Sequence, residues 1–295
     1  MYGGIKDDFK YVWSKPNNSV AQIILINVIV FVITGLLFLF GFNEFSRDWF
    51  GLPARLDLVL GKIWTIVTYM FVHDGFRHIL WNMLMFYWFG KLIQDFLGSS
   101  KVIGLYVMGG LAGGLAYILA YNLIPGFEGY IDVANLVGAS AGVFAVVIGA
   151  AVFMPNYTMF LMFIGPVKIK YIALVVVFLF LLGTRGGNAG GEFAHLGGAA
   201  IGWLYISQIR KGNDIGAWVM SVLNFIGALF KPQPKIKVTH RSESKTKTSS
   251  SKSSKGTRSD GTSQEEIDAI LDKISQNGYE SLSKEEKQKL FNASK

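Results

Sequence analysis

Long apolar runs separated by short polar or glycine-rich breaks fill most of the chain, with lengths that suit helices crossing a bilayer, which takes roughly 20 residues each. The first runs from about Val20 to Phe42 without a charge, and the second from about Phe76 to Leu97. A tight turn at Gly98-Ser99-Ser100 leads into a third, about Lys101 to Tyr121, where Gly109, Gly110, Gly113 and Gly114 would let backbones approach closely in lipid. The fourth, Val137 to Met154, opens with Gly138-Ala139-Ser140-Ala141-Gly142 and is ended by Pro155-Asn156. The fifth, about Val167 to Leu182, is joined to the sixth, about Glu192 to Ile209, by Gly183 to Gly191. The glycines of that connection leave little to hold it rigid, as in a lid.

The intervening segments have their own patterns. Ile5 to Trp13 mixes apolar and charged positions at helical spacing and is expected to lie along the membrane surface. Asn43 to Lys62 carries Trp49, Phe50, Leu52 and Leu56 among its charges, so it reads as a structured interfacial element, a character that Ile63 to Val72 continues. Asn122 to Asn135 reads as a loop, and Asn213 to Phe230 as a surface-lying helix. Lys231 to Thr262 is rich in Ser, Lys and Thr and reads as disordered. Ser263-Gln264-Glu265-Glu266 forms a capping box before Ile267, Ile270, Leu271 and Ile274, and Ser283 to Glu286 caps a second short helix.

The expected fold is all-α: a polytopic six-helix membrane bundle over residues 20–211 with a small cytosolic helical hairpin at 263–295. A cytosolic segment (1–19), an amphipathic interfacial helix (212–230) and a disordered basic linker (231–262) complete the expected organisation.

Composition agrees, with 51% hydrophobic residues among 295 and a mean hydropathy of +0.38. The net charge of +8 is concentrated in the basic tail segment 231–262, which suits anionic lipid headgroups rather than nucleic acid. With no cysteine, a nucleophile has to be a hydroxyl, carboxylate or amine. Met1 to Ser19 lacks the apolar core of a signal peptide, so the first span is expected to be retained.

Six spans put both termini on one side. That side carries Lys6, Lys10, Lys15, Lys91, Lys101, Lys168, Lys170, Arg210 and Lys211, against Arg47, Arg55, Lys62, Arg77 and Arg185 opposite, so the termini are expected in the cytoplasm.

Orientation makes depth comparable. The fourth span enters from outside and covers roughly 25 Å, less than the roughly 30 Å hydrocarbon core, so Ser140 is expected to sit recessed from the outer surface. The sixth span brings His195 into the outer leaflet, and the second brings His78 and Asn82, four apart on one helix face. Ionisable groups in a span are costly and mark function. Ser140 with His195 as base could attack a carbonyl, and His78, Asn82 and the Ser140 amide could stabilise the oxyanion. Metal and aspartyl proteolysis fit poorly: there is no His-Glu-x-x-His motif and no aspartate pair within spans. No metal or other cofactor is expected. Nor is there the path of intramembrane charges that a channel or transporter would need. Glu192, one turn before His195, could tune it but is expected to face water, and Arg77 and Arg185 are expected at headgroups.

These residues resemble the rhomboid intramembrane serine proteases. Gly138-Ala139-Ser140 is similar to their Gly-x-Ser motif, His195 with Gly198 and Gly202 to the last-span His-x-x-Gly-x-x-x-Gly, and His73, His78 and Asn82 to the second-span histidine-asparagine pattern. The resemblance covers about Val20 to Arg210. It implies a Ser140–His195 dyad, oxyanion donors at His78, Asn82 and the Ser140 amide, and entry past the fifth helix and its lid. Substrates would be transmembrane proteins with helix-weakening residues near the outer end of the span. Trp64-Thr65 replaces a frequent Trp-Arg, Ala141 a frequent glycine, Phe144 a Tyr that packs on the histidine, and Gln94 a common glutamate. The expected location is a bacterial inner membrane. The alternative is a non-catalytic relative that binds transmembrane helices.

Overall fold

Each apolar run folds as a helix, and glycines or irregular turns mark where one stops and the next begins. The computed structural model describes residues 4–42, 44–161, 164–183, 189–230, 264–277 and 281–293. Most of the expected lid, including Arg185, and the basic segment 231–262 lie outside the described residues. Two compact units divide the chain, residues 1–233 and 234–295.

In the first unit, α1 (Ile5–Ser14) precedes α2 (Ser19–Leu39). Next come α3 (Phe45–Phe50), strand β1 (Leu52–Pro53), α4 (Leu56–Gly61) and α5 (Thr65–Thr68), which give the expected interfacial element its structure. The long helices α6 (Phe76–Leu97) and α7 (Ser99–Leu123) meet at Gly98, whose φ of 86° is a left-handed value that favours glycine. Strand β2 (Asn135–Leu136) leads into α8 (Ser140–Phe153). A hairpin of β3 (Thr158–Leu161) and β4 (Gly165–Lys168) then precedes α9 (Ile169–Gly183), α10 (Ala189–Arg210) and α11 (Ala217–Phe230). The two small antiparallel sheets are additions to the all-α expectation, in a chain that is still mostly helical.

The shortest of the central helices is the innermost. From Ala141 to Val147 every residue of α8 is buried, because α6, α7, α9 and α10 all pack against it. A helix that is apolar all round belongs in such a position. Glycines on its neighbours make the fit possible: a Cβ on Gly198 would run into the Ala141 carbonyl oxygen, and one on Gly202 into that of Ala145. Removing those side chains lets α10 lie directly on the α8 backbone.

The outer surface has the opposite character. Val32, Ile33, Leu36 and Phe38 of α2, and Leu174, Val175, Phe178 and Leu179 of α9, are exposed, a surface matched to hydrocarbon rather than water. Among the described residues, α2 and α7 are long and apolar enough to cross a membrane by length and composition alone.

Two departures from the family pattern find structural partners. Gln94 is buried, and its Oε1 accepts from the Ser19 hydroxyl (3.2 Å) and the Val20 N–H (2.9 Å), closing the start of α2. Thr65, also buried, donates its hydroxyl to the Lys62 carbonyl at 2.7 Å.

The second unit contains α12 (Gln264–Asn277) and α13 (Lys284–Ala293). Lys273 Nζ joins them by pairing with Glu286 at 2.9 and 3.0 Å. The Ser283 N–H donates to Glu286 Oε2 (2.7 Å) and the Glu286 N–H to Ser283 Oγ (3.2 Å), the reciprocal bonds of a capping box.

Candidate active site

Ser140 is the first residue of α8, and the chain leading to it is tied down step by step. Leu52 pairs with Leu136 and Pro53 with Asn135 across the β1–β2 ladder. The Gly138 N–H then donates to the Tyr69 carbonyl at 2.9 Å, and the Ala139 N–H to His73 Nε2 at 3.4 Å. His73 Nδ1 lies 3.3 Å from the Phe71 carbonyl, so one tautomer satisfies both contacts: Nδ1 donates and Nε2 accepts. His73 therefore fixes the turn that presents the serine.

Gly138 is needed twice over. Its φ of +123° disfavours any side chain, and a Cβ there would stand 2.7 Å from the imidazole of His78. The His78 ring thus packs against the backbone two residues before Ser140, and it meets the His73 ring edge to face with centroids 5.0 Å apart.

His195 comes from the second turn of α10. Its Nε2 is 2.8 Å from Ser140 Oγ. The imidazole is stacked on Phe144 at 4.6 Å between centroids and 12° between planes, which places this aromatic against the histidine. On the other side of the ring, Nδ1 is 3.3 Å from Glu192 Oε2. Glu192 corrects the expectation that it faces water: it is only 8% exposed. Its spacing of three from His195 puts the two on one helix face, the signal from which the contact was legible.

Asn82 is buried on α6, and its Nδ2 donates to the His78 carbonyl at 3.0 Å. An amide NH2 carries two hydrogens, so this bond leaves a second donor. The Ser140 N–H, at the first position of α8, has no partner within the helix, and the helix dipole adds positive potential there.

These groups line one cavity of about 630 Å³. Ser140, His195, His78, Asn82 and Glu192 supply its polar atoms together with Arg77, and Trp81, Met85, Val143, Phe144, Val176 and Leu179 its apolar walls. Arg77, expected at headgroups, is thus part of the cavity. Gly198 and Gly202 lie along the α8–α10 contact and act on the site through packing alone. Chemically, the arrangement offers a hydroxyl bonded to an imidazole acceptor, several N–H donors, and apolar walls suited to a hydrophobic chain.

A family model for the Rhomboid domain matches residues 60–211, and one for a family of unknown function (DUF6576) matches residues 261–295. The chain is 31% identical to rhomboid protein 1, mitochondrial, of Saccharomyces cerevisiae over 69% of this chain and 56% of that protein. It is 30% identical to RHOMBOID-like protein 12, mitochondrial, of Arabidopsis thaliana over 52% of this chain and 48% of that one. Rhomboid protease GlpG of Haemophilus influenzae is 29% identical over 52% of this chain and 74% of its own length. The chain spans about half the length of the first of these curated relatives.

Proposed function

The chain belongs to the rhomboid family, whose domain occupies residues 60–211, and from that premise we propose that it is an intramembrane serine endopeptidase with Ser140 as nucleophile and His195 as general base. The observation that carries this reading is the 2.8 Å contact between Ser140 Oγ and His195 Nε2 at the wall of an apolar cavity. Ser140 donates its proton to His195 as Oγ attacks the scissile carbonyl. The oxyanion that forms is met by the Ser140 amide, the second Asn82 hydrogen and His78. His195 returns the proton to the leaving amine, and water, activated by the same imidazole, releases the acyl group.

Rhomboid proteins are membrane-embedded, and the relatives named above include mitochondrial and bacterial members. The finer assignment is ours: α2, α6, α7, α8, α9 and α10 are the six spans of a core over residues 20–211, with both termini cytoplasmic in a bacterial inner membrane. Ser140 and His195 then open toward the outer face. Substrates are transmembrane segments whose backbone becomes extended near that face. Residues 1–19, 212–230 and 231–262 flank the core as cytosolic, interfacial and linker segments, the basic tail meeting anionic headgroups, and 263–295 forms a cytosolic hairpin.

A protein that binds transmembrane helices without cutting them has no use for a hydroxyl held against an imidazole, so the catalytic reading is preferred. Ser140→Ala and His195→Ala should each abolish cleavage of a reconstituted transmembrane substrate, and a fluorophosphonate should label Ser140 alone. Residual activity above about a tenth of the unmodified chain in either variant would remove the dyad.

A further inference from the structure

With Ser140 donating to Nε2, the neutral imidazole of His195 carries its proton on Nδ1. That N–H requires an acceptor in a largely apolar cavity, and Glu192 Oε2 stands 3.3 Å away. The carboxylate is itself enclosed, its side chain 10% exposed and that of His195 12%. We propose that Glu192 is a positioning residue that turns the Ser140–His195 pair into a three-membered chain, fixing the imidazole tautomer and stabilising the imidazolium formed when His195 takes the serine proton. This proposal rests on the reading of Ser140 and His195 given above.

Two features favour it over a carboxylate that merely starts a helix. Glu192 lies in the first turn of α10, where the helix dipole supports a negative charge away from bulk water. Among the described residues it is also the one carboxylate lining the cavity, where the other ionisable groups are Arg77 and His78 of α6 and His195 itself; the described α8 and α9 residues there are not ionisable. Asp74 is exposed just before α6.

The 3.3 Å separation leaves the contact room to tighten. When His195 becomes cationic, the attraction strengthens. Only interactions that strengthen toward the transition state accelerate the chemical step. Phe144 on the ring face, Ser140 at Nε2 and Glu192 at Nδ1 then leave the imidazole one productive orientation.

The test uses the full chain in liposomes with one transmembrane substrate, measuring kcat and KM beside thermal unfolding. Glu192→Gln can still accept the Nδ1 proton but loses the charge, so kcat should fall about tenfold or more with KM nearly unchanged. Glu192→Asp, which restores the charge, should recover part of kcat. A Glu192→Gln protein with unchanged kcat, a loss confined to KM, or a loss of kcat that follows thermal destabilisation and is not recovered by Glu192→Asp would overturn the proposal. Should Glu192→Gln not fold, ¹⁵N NMR of histidine-labelled unmodified protein decides: a His195 proton on Nδ1 supports the proposal and one on Nε2 overturns it. Ser140→Ala separates the two readings, because cleavage by that variant would refute the nucleophile, whereas its inactivity beside an unaffected Glu192→Gln would refute only the role of Glu192.

Discussion

His195 lies flat on Phe144, their centroids 4.6 Å apart and their planes within 12° of parallel, so its imidazole is held by a ring one turn after Ser140 on α8. Ser140 and the ring that supports His195 therefore lie on one helix face, four residues apart. The stacking contact needs a ring and makes no use of a hydroxyl.

An offset aromatic contact is worth about 0.5–1.5 kcal/mol, roughly a 2- to 13-fold bias toward the stacked rotamer. Phe144→Leu should lower kcat by about that factor, and Phe144→Tyr should leave it within about twofold. Steady-state cleavage of a reconstituted substrate checks both; equal losses in the two variants would mean that the pocket's shape, not the stacking, governs the base.

Gly138→Ala should be the most damaging single methyl in the site. It forces a side chain onto a φ of +123° and drives its Cβ to 2.7 Å from the His78 ring. Backbone strain of this kind costs about 1–3 kcal/mol. The expected result is a lower thermal midpoint and loss of fluorophosphonate labelling at Ser140. Adding His78→Ala removes the clash but not the strain, so the double variant should recover part of the midpoint and none of the cleavage. A fully active Gly138→Ala protein would show that the turn can relax.

The legible parts of the fold were those with length and pattern. Apolar composition marked α6 at Phe76 to Leu97, the same limits the structure gives, and the Ser283 to Glu286 spacing marked the second capping box. The β1–β2 ladder was not legible, because two-residue strands have no periodicity and their partners, Leu52 with Leu136 and Pro53 with Asn135, are far apart in sequence. In the site, the expected span orientation brings Ser140, His195, His78 and Asn82 to one depth, whereas Gly138 is marked by its place in the Gly-x-Ser pattern. Glu192 was misplaced in water because depth along a helix says nothing about which way a side chain turns, although its spacing to His195 did.

Away from the site, Asp214 anchors the start of α11. Lys101 Nζ pairs with its carboxylate, Tyr205 donates to it at 3.0 Å and the Gly216 N–H at 3.2 Å. Partial burial opposes the charge, but the Lys101 and Tyr205 hydrogen bonds and the Lys101 charge outweigh it and hold the carboxyl below its usual range. A depressed folded value means stability that is present above the unfolded carboxylate pKa and lost as pH falls through the folded one. The thermal midpoint of the unmodified chain should therefore drop on acidification below about pH 4, and that of Asp214→Asn should start lower and drop less. Parallel curves would assign the acid sensitivity to other carboxylates.

Asn82 gives the clearest separation of catalysis from binding. One of its amide hydrogens returns to the His78 carbonyl at 3.0 Å, which fixes the side chain against α6 and leaves the second hydrogen for the cavity it shares with Ser140. The charge that this hydrogen would meet exists only after Ser140 has attacked. Removing one oxyanion donor typically lowers turnover by about 10²–10³. His78 and the Ser140 amide remain, so Asn82→Ala should lower kcat by at least about tenfold with little change in apparent substrate affinity. The His78→Ala variant should lose turnover similarly, and its thermal midpoint should also fall, because the imidazole fills space beside Gly138 and His73. Asn82→Asp keeps the size and removes the donor, so it should be no better than alanine. If Asn82→Ala instead weakens affinity at constant turnover, Asn82 acts on the bound ground state, and the oxyanion is held by the Ser140 amide and His78 without it.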